Sequence, residues 1–157
     1  MLHWGAQVTK AVIFDLYETL ITGFDPDWVP PERSIASRLG IAEEEFEARF
    51  DRLGVEWELG RIGDFGELLR MLCDEVGVAP SKSLISELVD ERREQFAPLF
   101  EDIDPAITQM VEAVKARGLQ VAVVTNVPNL QIAGWEASRL APLFEVVVRS
   151  YEVGVMK

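Results

Sequence analysis

The stretch AVIFDLYETL, residues 11–20, decides how this chain is read. Val12, Ile13 and Phe14 are contiguous and apolar, which predicts a short buried strand from Lys10 to Asp15. A strand bound for a core then ends on a carboxylate, and Thr19 follows four positions later. Taken alone, Asp15 is a cap, a metal ligand or a nucleophile. The rest of the chain has to choose.

Downstream, the same alternation of apolar strand and helix returns. Asp104 and Pro105 open a helix whose face is Ile107, Met110, Val111 and Val114, and Gly118 stops it. LQVAVVT, residues 119–125, reads as a second buried strand. Residues 129–138 read as a helix, and FEVVVRS, residues 144–150, as a third strand. Short apolar strands separated by helices predict an α/β fold, a Rossmann-like parallel sheet with right-handed crossovers.

A helical block interrupts that sheet after its first strand. Helices are predicted from Pro31 to Leu39, Ala42 to Leu59, Phe65 to Val76 and Lys82 to Phe96. Phe46, Phe50, Leu53 and Trp57 line one face of the second. Asp64 and Glu67 have the spacing of a capping box at the start of the third. The block reads as an inserted α-helical domain over residues 23–100, with residues 1–22 and 101–157 as the core. GFDP and APLFEDIDP are its two joints, and they suit a lid that moves over the core.

Composition narrows the function. The chain has 157 residues, is 48% hydrophobic and carries a formal net charge of −12. This acidity argues against nucleic acid and anionic membrane surfaces as partners. Cys73 is the only cysteine and falls beside an apolar stripe, so it reads as a small core residue. His3 is the only histidine and sits near the start of the chain, which argues against a Ser-His-Asp triad or a polyhistidine metal site. No signal peptide or long apolar span is visible, so a cytoplasmic protein is expected.

Polar residues fall at or beyond the C-terminal ends of the strands: Asp15, then Thr125 and Asn126, then Lys157. Parallel α/β sheets bind ligands along that edge. The segments VIFDLYETL, VAVVTN and EVGVMK resemble the first three motifs of the haloacid dehalogenase (HAD) superfamily of hydrolases. The helical block resembles that superfamily's inserted cap, and the resemblance covers essentially the whole chain.

The resemblance implies a role for each residue. Asp15 would be a nucleophile that forms a covalent aspartyl intermediate, which water hydrolyses. Thr125 and Lys157 would bind the oxygens of the transferred group. Thr19 would support the motif loop, and Tyr17, Thr19 and Asn126 would lie against the substrate. In the family's phosphatases Mg²⁺ is the cofactor, held here by Asp15 and the backbone carbonyl of Tyr17. The implied partner is a small-molecule substrate, most simply a phosphorylated metabolite.

Two departures from the family pattern matter. Family phosphatases carry a second aspartate two residues after the nucleophile as general acid, and this chain has Tyr17 there. A phenol with a normal pKa of about 10 is a poor acid near neutral pH. Tyrosine at that position is similar to the 2-haloacid dehalogenases, whose halide leaves without a proton and which need no metal. Glu18 replaces their usual glycine, and in an extended segment it would point away from Asp15. Arg49 and Arg52 are candidate halide-binding cations. The second departure is that the chain stops at Lys157, before the family's fourth, acidic motif. A fragment lacking it would be a non-catalytic piece of the parent, with the first strand's outer edge open to self-association.

Overall fold

The computed structural model describes residues 9–23 and 27–157. His3 and most of the joint at Gly23–Pro26 lie outside them. Three strands, β1 (Ala11–Phe14), β2 (Gln120–Thr125) and β3 (Val146–Arg149), form a parallel sheet in the order β1-β2-β3. The register pairs Phe14 with Val123 and Thr125 with Arg149. All three strands therefore end on one side of the sheet, as the sequence predicts.

The core forms because alternate residues of β2 turn inward. Val121 and Val123 are buried, and Val111 of helix α5 (Pro105–Ala116) is fully buried in the same cluster. Asp104 caps α5 by accepting from Ala106 N at 2.8 Å. Trp135, Phe144 and Phe14 extend the cluster through ring contacts at 5.8 and 5.9 Å. β1 is an edge strand among the described residues, and Ile13 is 67% exposed.

The helical block builds a second cluster. Helices α1 (Ile35–Leu39), α2 (Glu43–Glu58), α3 (Phe65–Glu75) and α4 (Lys82–Phe96) contribute Leu53, Trp57, Phe65, Leu69, Leu72 and Leu88 to it. Cys73 is buried there, and Trp57 is core, 2% exposed and stacked on Phe65 at 5.3 Å. Leu130 packs against both clusters.

Several boundaries differ from the sequence reading. The first helix begins at Ile35, because the Ser34 hydroxyl accepts from Ser37 N and sets the start; Pro31 lies ahead of it, before a bend at residues 32–33. Residues 129–138 make two short 3-10 turns, Asn129–Ile132 and Trp135–Ala137, with Gly134 between them. A Cβ at Gly134 would lie 2.8 Å from the Phe100 ring, so the segment is pressed flat on the core. At α3, Asp64 accepts from Glu67 N, but Glu67 reaches back to Gly63 N rather than to Asp64 N. The capping box is thus shifted by one residue. Beyond β3 a short helix, α6 (Ser150–Val153), turns the chain back towards the strand ends.

The helical block meets the core through Phe96, Leu99 and Phe100, which are buried in the core cluster, and through backbone bonds. The Ser150 hydroxyl donates to Glu58 O at 2.6 Å, and Asn129 Nδ2 donates to Gly63 O at 2.8 Å. Between them Gly60 has φ +71° and lies flat against Tyr151, where a Cβ would sit 2.1 Å from the carbonyl oxygen. Both strain and overpacking forbid a side chain there. Gly60→Ala is expected to lose about 2–4 kcal/mol of stability. Urea unfolding measures this, and a loss below about 0.5 kcal/mol, the range of an ordinary surface change, would show that the contact does not form.

Candidate active site

The site begins with the turn after β1. Leu20 N and Ile21 N both return to Leu16 O, at 2.8 and 3.1 Å, and Glu18 N bonds Ile21 O at 2.8 Å. Leu16, Leu20 and Ile21 are buried, so the turn is anchored by its apolar side chains as well. Glu18 occupies the left-handed region at φ +56°, a conformation costly for a residue other than glycine. The segment is therefore a tight loop and not extended. The Glu18 carboxylate is taken up by Gly23 N within the loop.

Asp15 leaves the strand with its carboxylate at the sheet edge, accepting from Leu16 N at 2.8 Å. The Lys157 ammonium forms an ion pair with it and also donates to Val124 O at 3.1 Å. Lys157 N donates to Asn126 Oδ1 at 3.0 Å. Thr125 is 2% exposed, and its hydroxyl makes no hydrogen bond among the described residues. Asp15, Thr125, Asn126 and Lys157 thus come together at one strand edge. An anion arriving there would meet an ammonium, a hydroxyl and an amide beside a carboxylate.

Tyr17 sits differently from the expected substrate contact. Its hydroxyl donates to Gln131 O at 2.6 Å, tying the loop to the turn that follows β2. Burial pushes the phenol well above its usual range, with a smaller opposing effect of the Arg92 charge. Its proton is held in place and is not available for transfer near neutral pH. Thr19 is exposed, and its hydroxyl makes no hydrogen bond among the described residues, so backbone bonds hold the loop in its stead. Thr19 lines a separate cleft of about 630 Å³ with Glu18, Asp102 and Asp104. Arg49 and Arg52 pair with Glu45 and Glu75 within the helical block.

For a divalent cation the site offers two hard oxygen donors, the Asp15 carboxylate and the Tyr17 carbonyl. The Tyr17 carbonyl accepts no hydrogen bond among the described residues. No group of three or more acidic, histidine or cysteine side chains is placed to bind a metal among the described residues. Two protein oxygens still suit Mg²⁺, which keeps several waters and takes further oxygens from a substrate phosphate.

Sequence reasoning missed Ser150. It is buried, accepts from Val127 N at 2.9 Å, and so holds the segment after Thr125 against the helical block. A serine closing a strand gives little signal of that role. Among the described residues no helix is long and apolar enough to cross a membrane.

Comparison with known proteins agrees with this architecture. The model of the haloacid dehalogenase-like hydrolases matches residues 9–157. No curated protein matches by sequence. A HAD family enzyme from Bacteroides thetaiotaomicron superposes with TM-score 0.64 at 19% identity, over 96% of this chain and 73% of that one. The same enzyme in complex with magnesium and inorganic phosphate superposes with TM-score 0.58 at 19% identity, over 96% and 73% of the two chains. A predicted HAD-like hydrolase from Porphyromonas gingivalis gives TM-score 0.53 at 16% identity, over 95% and 70%. These structures share the fold. The family model runs through the loop at Asp15, the strand end at Thr125 and on to Lys157, and on that match the chain belongs to the haloacid dehalogenase-like hydrolases.

Proposed function

We propose that the protein is a phosphatase acting on a small phosphorylated metabolite, with Asp15 as nucleophile and the helical block, residues 23–100, as a cap over the site. The observation that carries the reading is the Asp15 carboxylate ion-paired with Lys157 beside Thr125 at the strand ends. A carboxylate attacks a phosphate ester only where the phosphoryl charge is neutralised beside it. Lys157 and the Thr125 hydroxyl supply that neutralisation, and Asn126 holds the backbone of Lys157 in place.

In the reaction an Asp15 oxygen attacks phosphorus, the ester oxygen leaves and takes a proton from solvent water to become the alcohol, and an aspartyl phosphate remains. Water then attacks that phosphorus, phosphate leaves, and Asp15 is restored. A bound Mg²⁺, held by the Asp15 carboxylate and the Tyr17 carbonyl, would supply further positive charge against the phosphoryl oxygens. The magnesium and phosphate complex of the Bacteroides relative supports this choice of ligand.

A second reading rests on Tyr17. Its tied proton leaves the loop without a general acid, which favours a leaving group that needs none. In 2-haloacid dehalogenation Asp15 would displace halide from carbon, and water would then release the hydroxy acid. Release of phosphate in Mg²⁺, or of halide in its absence, separates the two readings.

Asp15→Asn is expected to lower kcat by about a thousandfold or more while leaving the melting temperature close to wild type. Mass spectrometry must first exclude deamidation of the new side chain. Activity within about tenfold of wild type would remove Asp15 as nucleophile.

The tyrosines give a pH test. The chain has two, Tyr17 and Tyr151, and burial is the main cause raising both above their unfolded value of about 10. Folding therefore favours the protonated phenols. Their contribution to stability is complete below about pH 10 and is lost as pH rises towards the folded values. Phenolate absorbance of Tyr17 at 295 nm should appear above pH 10 and together with unfolding. In Tyr151→Phe, a phenolate that appears near pH 10 in the folded protein would contradict the buried Tyr17–Gln131 bond.

A further inference from the structure

The segment that carries the Lys157 cation has little apolar anchorage. Residues 152–157 are exposed, Val155 by 64%. Burial therefore does not place Lys157, and polar bonds have to. Besides its ion pair with Asp15, Lys157 is held by Val124 O and by Asn126 Oδ1. Both partners belong to the end of β2 and the loop after it. The position of the cation thus depends on that loop and on α6, which returns the chain to it.

One side chain fixes both. Ser150 opens α6 and is 2% exposed, and its backbone carbonyl accepts from Gly154 N at 2.8 Å to close the helix. Its hydroxyl accepts at 2.9 Å from the backbone N–H of Val127, the residue after Asn126. A hydroxyl has a single proton to give. Glu58 O, at the end of α2, takes it at 2.6 Å, while Val127 O lies farther off at 3.3 Å. A single buried oxygen therefore joins the helix that leads to Lys157, the loop that catches Lys157 and the helical block. Without it, Val127 N and Glu58 O lose this partner in a setting where water replaces it poorly. Thr125 is held separately, by the sheet register that pairs it with Arg149. The effect of Ser150 on the site thus passes through Lys157.

We propose that Ser150 is a positioning residue for Lys157. It registers the loop after β2 and α6 on the helical block, and so sets where the ammonium stands beside Asp15. Ser150 touches no reacting atom. The inference rests on the Asp15–Lys157 pair as the reacting centre of the proposed phosphatase, and adds what holds the cation there.

The test is a double-mutant cycle in the purified protein, with hydrolysis of p-nitrophenyl phosphate in Mg²⁺ as the assay. Ser150→Ala should lower kcat/KM by about tenfold or more, the scale of loss that follows misplacement of a catalytic group. In a Lys157→Gln background the same change should lower it by less than about twofold, because the group it positions is gone. The melting temperature should fall equally in both backgrounds. A serine that only supports the fold would cost the same factor of kcat/KM in both, and that result would overturn the proposal, as would an unchanged kcat/KM in Ser150→Ala. Trace acetylation with acetic anhydride reads the ammonium without turnover. In Ser150→Ala, Lys157 should react about threefold faster or more, as expected of a locally released group. Lys115, which donates to Leu143 O in the core, should react as in wild type. An equal rise at both lysines, or none at Lys157, would overturn the proposal. Ser150→Cys keeps the size and a weak donor, so it should fall between serine and alanine in both assays, and it carries them if Ser150→Ala does not fold. If the ester is not hydrolysed but Lys157 is released in Ser150→Ala, the phosphatase reading falls and this one stands. Hydrolysis with an additive cycle and unchanged labelling removes this inference alone.

Discussion

The Lys157 ammonium ties together two strand ends that the sheet sets side by side. It contacts the Asp15 carboxylate beyond β1 and the Val124 carbonyl within β2, while its own backbone is held by Asn126. Like charges would repel across such a crevice, and a carboxylate without a counter-charge would resist an approaching phosphate. The parallel sheet sets the strand ends side by side, the tight turn fixes Asp15, and α6 returns the chain so that residue 157 reaches the edge. The remaining features of the site follow from this convergence.

Around it the helical block is held by Phe96, Leu99 and Phe100, which are buried in the core cluster, and by bonds between backbone and side chain. Ser150 bonds Glu58 O, Asn129 bonds Gly63 O, and Gly60 lies against Tyr151. Each of these core residues comes shortly after the end of β2 or β3. Placement of the helical block is therefore coupled to the same loops that carry Thr125 and Lys157. A movement of one is felt by the other through these directional bonds and through Leu130, which packs against both clusters.

The strands were legible because contiguous apolar residues in Val12–Phe14 and Val121–Val124 leave few alternatives to a strand, but only β2 is buried as expected; β1 is an edge among the described residues, with Ile13 exposed. Asp15, Thr125 and Lys157 were legible because each lies at a strand end or a short loop beyond one. Tyr17 was legible as a departure but not as a tether, since its partner is a backbone carbonyl and any residue at 131 would supply one. Glu18 at positive φ was invisible for a related reason: tertiary bonds of the turn override the local preference of a glutamate. The 3-10 turns at 129–137 carry the same apolar spacing as a helix, and only the close approach of Gly134 to Phe100 sets them apart.

The separation of the two apolar clusters has a consequence for how the chain reaches this state. The cluster of the helical block draws all its buried members from residues 36–88, so its contacts are local in sequence and form quickly. β1 has no such neighbour. Ala11 waits for Gln120, and until β2 has emerged from the ribosome its apolar residues have no partner strand. During synthesis the helical block is thus the first unit able to fold, and it shortens the loop that β1 must close from a floppy span to a compact body. The helical block thus also acts as the scaffold on which the sheet is assembled.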